Sequence, residues 1–243
     1  MQPLPSISLS HPTNAHEAPS TRWLVITLVG LVLVSLWDAA GQDVATARWW
    51  GNAQGFALRD NYFLVTYMHE AMRMLGWAVV VALSIGVWVP FGLLRRLPTM
   101  RRAQLVASVL LSLAAIAIIK RSSATSCPWD LQVFGGVADY VSHWRWGLRD
   151  GGGGHCFPAG HAAAGFAFIG GYFALWRDAP KAARWWLAIV LVVGTALGIG
   201  QQMRGAHYMS HTLWTAWVCW AMGLAVDFGV QRRLRLQPST LSN

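Results

Sequence analysis

Six apolar runs, at 23–40, 75–94, 103–119, 161–176, 185–200 and 212–230, dominate this chain. A helix that crosses the hydrocarbon of a bilayer needs about 17–25 such residues, because its backbone must satisfy its own hydrogen bonds there. Runs of this number and spacing predict an all-α polytopic membrane protein, a bundle of six transmembrane helices. The charge content agrees: 12% of residues are charged, against roughly 25% in an average soluble domain. The 15 Trp and 5 Tyr suit rings parked at the membrane interface. Segment 56–73 is amphipathic and is expected to lie along the outer surface before the second span. One membrane domain, 22–235, is then flanked by polar tails at 1–21 and 236–243, both expected on the cytoplasmic side. The first tail lacks the pattern of a cleavable signal, so the run behind it is expected to remain as an anchor.

Nineteen basic residues against ten acidic ones would, in a soluble chain, suggest a nucleic-acid partner. Here the only lysines are Lys120 and Lys181, and the arginines gather between apolar runs. That distribution argues against nucleic acid and for orientation in a bilayer. Arg22, Arg95, Arg96, Arg101, Arg102, Arg177, Lys181, Arg184, Arg232, Arg233 and Arg235 all fall on one side of the six expected spans. The positive-inside rule makes that side cytoplasmic. Both termini are then cytoplasmic in a plasma (inner) membrane, and loops 41–74, 120–160 and 201–211 face the exterior or periplasm.

Chemistry collects on the outer side. Lys120 ends the third run, His161 begins the fourth, and Arg204, His207 and His211 bridge the fifth to the sixth. Alone, Lys120 is equally a lysine snorkelling to the interface. Phe157-Pro-Ala-Gly-His161 reads as a loop feeding a helix, whose N-terminal N–H groups attract phosphate; small Ala159 and Gly160 would let an anion approach. An ordinary helix start with an interfacial histidine explains it as well. His207 and His211, four apart, are either a nucleophile with its orienting partner or a pair of metal or haem ligands. Cationic Lys120 and Arg204 and the scarcity of nearby carboxylates favour a phosphate, so no metal or other cofactor is expected. Asp130 is expected to pair with Arg121 or Arg145, and His69 and Glu70 either cap the site or lie on headgroups.

Taken in order, these stretches resemble the type-2 phosphatidic-acid phosphatase superfamily, which includes the vanadium haloperoxidases. That family carries Lys-x6-Arg-Pro, then Pro-Ser-Gly-His, then Ser-Arg-x5-His-x3-Asp on a helical bundle. This chain has Lys120-x6-Cys127-Pro128, then Pro158-Ala159-Gly160-His161, then His207-x3-His211. Cys127, Ala159 and His211 stand where the family has arginine, serine and aspartate, and Gly200 and Gln201 occupy the third motif's Ser-Arg positions. Arg204, one turn along, is the remaining guanidinium. The resemblance implies a metal-independent phosphatase acting on a membrane lipid phosphate or diphosphate: undecaprenyl diphosphate, phosphatidate, phosphatidylglycerol phosphate or a lipid A phosphate. It implies His207 as nucleophile through a phosphohistidine, His161 as acid and base, and His211 as the orienting group. Lys120, Arg204, Gly160 and Ala159 would hold the phosphate. A phosphotransferase using the same histidine, a lipid transporter and a metal-binding membrane protein are the alternatives. Cys127 and Cys156 flank motifs in one outer loop and are expected to form a disulfide in an oxidising compartment, the alternative being two free thiols. The oligomeric state is not readable.

Overall fold

The computed structural model describes residues 21–236. The two expected tails lie outside them, save for Thr21 and Leu236, which end helices. Helix α1 (Thr21–Ala39) is followed by a short α2 (Asp43–Ala47) and a two-residue hairpin pairing Gly51 with Phe56 and Asn52 with Gly55. A π-helical stretch, Phe63–Ala71, runs without a break into α3 (Met72–Ile85). Helix α4 spans Thr99–Ser122; α5 (Ala163–Phe166) and α6 (Gly170–Leu175) are joined by a 3₁₀ turn; α7 (Pro180–Met203) and α8 (Met209–Leu236) complete the bundle.

Among the described residues, five helical stretches are long and apolar enough to cross a membrane: Thr21–Ala39, Phe63–Ile85, Thr99–Ser122, Pro180–Met203 and Met209–Leu236. At about 1.5 Å of rise per residue, each approaches or exceeds the thickness of the hydrocarbon layer. The expected count of six is therefore not reached by length. The run expected at 161–176 is the shorter apolar helix Ala163–Leu175, and it forms the centre of the bundle. Nearly all of it is buried, from Ala163 to Leu175. Small residues make that possible: a Cβ on Gly165 would stand 2.5 Å from the backbone nitrogen of Gly194 on α7, so only glycine admits so close a crossing.

The second span also needs correcting. It was expected at 75–94 behind a surface-lying segment 56–73, but the crossing helix begins at Phe63 and stops at Ile85. Pro90 explains the stop, since a proline cannot continue the helix and biases the residue before it away from helical geometry. The chain then makes turns at 86–89 and resumes as α4 directly after Pro98. The later part of the expected amphipathic segment, from Phe63 on, is thereby part of the crossing helix.

The two ends of the bundle differ in chemistry. At the end where α1 begins, Trp23 packs edge-on against Tyr172, Phe173 and Trp176. Nearby, Asp227 is buried and accepts from Arg177 at 2.9 Å and from Gln104 at 2.9 Å, with Arg101 at 3.5 Å. The opposite end carries the extramembrane loops and a small second core of Phe56, Leu131, Phe134 and Tyr208.

Candidate active site

Helix α7 ends in a Schellman cap, which decides where the third motif goes. The N–H of Gly205 donates to Gln202 O at 2.9 Å and that of Ala206 to Gln201 O at 2.8 Å. Gly205 has φ +74, and a Cβ there would strike the Phe56 ring. The chain therefore reverses sharply and delivers His207 just before α8, with His211 in that helix's first turn. The two imidazoles face one another, Nδ1 to Nδ1, at 3.4 Å. Both are buried, His207 at 3% and His211 at 0% exposure. Rings of Phe157, Tyr208 and His143 surround His211 edge-on. Its Nε2 is buried without a hydrogen-bond partner among the described residues.

The second motif enters on a turn pinned to α8. Ala159 N–H donates to His211 O at 3.2 Å, and Ala159 O accepts from Thr215 Oγ1 at 3.1 Å. This departs from the expectation that the Ala159 backbone would face an anion: its N–H is committed and the residue is fully buried. Its role is to hold the His161 loop on the helix that bears His211. At Gly160 the space a side chain would fill lies 3.6 Å from Lys120 Nζ. His161 follows in the turn before α5.

The five polar residues expected together converge at one end of the bundle. Burial pushes the His161 imidazole down to about 3, and the charges of His69, Lys120, Arg204 and Arg73 act in the same direction. Burial likewise holds His207 well below the ordinary histidine range, with Lys120, His211 and His161 contributing. Lys120 is thus within electrostatic reach of both rings. Arg204 is largely pinned by the protein: its Nε donates to Arg59 O at 2.8 Å and one terminal nitrogen to Gln201 Oε1 at 3.3 Å. Asp130 does not form the expected ion pair but accepts the Cys127 N–H at 3.2 Å, capping a 3₁₀ turn.

Cys127 and Cys156 are joined in a disulfide. The Cys156 sulfur lies 3.0 Å from Ala206 O and 3.6 Å from His207 Nδ1. Cys156, His207 and His211 gather within 4.8 Å, as a metal site would. A disulfide sulfur, however, is not a thiolate, so only two imidazole nitrogens remain as ligands in this arrangement.

Three residues at this end lie outside the sequence motifs. His69, in the π-helical stretch, lays its ring on His161 with centroids 3.6 Å apart. Asp43 on α2 accepts the Ser210 N–H at 3.0 Å and the Ser210 hydroxyl, and takes Trp37 Nε1 at 3.0 Å. Asp38, at the end of α1, receives Trp214 Nε1 at 2.7 Å, with His143 at 3.3 Å. No local spacing announces these contacts, which depend on tertiary packing.

The apolar helical bundle thus gathers an imidazole pair, a third imidazole and cations at one end. In a comparison with protein families, the PAP2 superfamily profile matches residues 102–234, just over half of the 243 residues. The chain belongs to the PAP2 superfamily, which includes phosphatases and phosphotransferases acting on phosphoric esters. Neither the curated proteins nor the solved structures give a match.

Proposed function

We propose that this protein is a metal-independent lipid-phosphate phosphatase with His207 as its nucleophile. The observation that carries the reading is the buried His207–His211 pair, 3.4 Å apart, beside the Lys120 cation, Gly160 and a third imidazole, His161. With the Nδ1 proton of His207 donated to His211, the His207 Nε2 lone pair is left for phosphorus. The P–O bond breaks as Nε2–P forms, and the His161 imidazolium gives its proton to the leaving oxygen. His161, now neutral, takes a proton from water; the oxygen attacks phosphorus, the N–P bond breaks and phosphate leaves. Lys120 and Arg204 offset charge on the equatorial oxygens. In the empty site His161 is neutral; a phosphate dianion beside it brings the negative charge that lets it bind a proton.

The substrate is a phosphate monoester or diphosphate whose chain stays in the bilayer. A cavity of about 320 Å³, lined by Leu75, Gly76, Ala164, Gly165, Trp186 and Val193 among others, lies between α3, α5 and α7. It shares Gly76 and Ala164 with a second cavity of about 170 Å³ that reaches Arg73 and Gly160. A chain in the first would place its headgroup toward the second. The arginines of the opposite end support cytoplasmic termini and a periplasmic or exterior site, with Ala163–Leu175 as a sixth, protein-enclosed crossing.

The test is phosphate release by purified protein in EDTA from a panel of lipid monophosphates and diphosphates, beside His207→Ala. Release by the wild type and its loss in a folded variant are expected; equal release by both refutes the nucleophile. Transfer of phosphate to an acceptor lipid would make the protein a phosphotransferase.

A further inference from the structure

The geometry points to His69 as a positioning residue of the same site: its ring, stacked on His161, sets the plane in which the general acid and base meets the substrate. The inference rests on the phosphatase reading and adds a residue that none of the three motifs contains. The ring centroids are 3.6 Å apart with the planes tilted by 31°, a contact closer than those of most aromatic pairs. No other aromatic contact of His161 is present among the described residues.

Local structure explains how His69 gets there. Phe63–Ala71 is π-helical over nine residues, an arrangement rare at this length. The wider turn changes which side chains face the bundle, and it ends two residues after His69. Beyond it α3 is regular and carries Arg73, one turn on, into the cavity shared with Gly160. His69 Nδ1 is buried and has no hydrogen-bond partner among the described residues. The ring of His161 is its aromatic partner among the described residues. An unpaired buried nitrogen costs stability, which a residue selected only for packing would avoid.

The contact has two consequences for His161. It restrains the rotation of the ring. It also covers one face from water in a neighbourhood already holding Lys120 from α4, Arg204 from the α7–α8 turn, Arg73 and Glu70 from the His69 helix, and His207. A flat neutral ring in place of His69 should preserve both effects, and a small side chain should preserve neither.

The experiment compares wild type, His69→Ala and His69→Phe in two measurements. Phosphate release gives kcat, KM and the pH profile; NMR of ¹⁵N-histidine-labelled protein in detergent follows the His161 titration without turnover. His69→Ala is expected to lower kcat by about tenfold or more with KM little changed, as loss of orientation does. It should also move the His161 titration upward toward ordinary histidine. His69→Phe should restore most of kcat and the low titration. Unchanged kcat and titration in a folded His69→Ala would overturn the role, and so would a His69→Phe as impaired as the alanine variant. Should the wild type release no phosphate, the phosphatase reading fails while the titration still reports on the stacking.

Discussion

The sulfur of Cys156 lies 3.6 Å from Nδ1 of His207, so the disulfide is part of the wall behind that imidazole. Its other half, Cys127, occupies the first-motif position where the family has arginine. One covalent bond therefore connects the loop after Lys120, the approach to His161 and the surroundings of His207. Where the family pattern has a guanidinium, this chain has a crosslink, and in the proposed mechanism Lys120 and Arg204 supply the cationic charge.

Replacing Cys127 and Cys156 together by serine should destabilise the protein and slow it. Opening a loop with a sequence separation of 29 removes about 3–4 kcal/mol in the chain-entropy description. Thermal melting with and without reductant measures that loss. Phosphate release well below the melting temperature should fall several-fold, because the wall behind His207 loosens. Wild-type melting and rate in the double variant would show that the bond is dispensable.

His211 should prove replaceable by aspartate but not by alanine. A neutral imidazole accepts the His207 Nδ1 proton as a carboxylate does, yet adds no negative charge to support the imidazolium of the reaction. His211→Asp is expected to keep or raise kcat, while His211→Ala should lower it about a hundredfold with KM nearly constant. A folded but inactive His211→Asp would point to another role for this ring.

Part of the site was legible because chemistry at helix ends obeys span counting: Lys120, His161 and His207 fall at corresponding ends of their apolar runs, and they lie within electrostatic reach of one another. The turn at Gly205 that closes α7 was not read from the sequence; it appears only in the backbone hydrogen bonds of the cap. His69 was harder to place. Counting the second span from 75 put it on a surface segment, whereas the stop imposed by Pro90 moves the crossing helix toward Phe63 and brings His69 into the bundle. Asp43 was not legible at all, since its partner Ser210 lies 167 positions away. Both lie outside residues 102–234, where the family pattern applies.

Acid should destabilise the empty protein. His161 binds a proton near 6.5 when unfolded and only at about 3 when folded. Between those values the unfolded chain holds the extra proton, so stability falls as pH drops through that window. His207, also held below its ordinary range, contributes with the same sign. Melting temperatures in detergent should therefore decline from pH 6.5 downward, with a shallower decline in His161→Gln. Inorganic phosphate should protect more at pH 5 than at pH 8, because the anion restores the charged form of His161. Equal protection at both would remove the coupling between anion and imidazole.

Two buried carboxylates at opposite ends separate positioning from mere stability. Asp43 caps α8 one residue before His211, holding the Ser210 N–H and hydroxyl together with Trp37 Nε1. Asp227 balances Arg177 and Arg101 near the other end of the same helix. Removing either leaves buried partners unmatched. Asp43→Ala should cost roughly 3 kcal/mol, as the loss of charged hydrogen bonds does, and Asp227→Ala about 3–5 kcal/mol through the stranded guanidinium. Their effects on turnover should diverge. Without its cap the first turn of α8 loses the anchor that orients His211, so kcat of the folded Asp43→Ala protein should drop at unchanged KM, with Asp43→Asn intermediate. Folded Asp227→Ala should turn over like wild type, because nothing at its end touches the imidazoles. Parallel kinetics at a temperature where both variants remain folded decide the matter: equal loss of kcat would make both carboxylates purely structural.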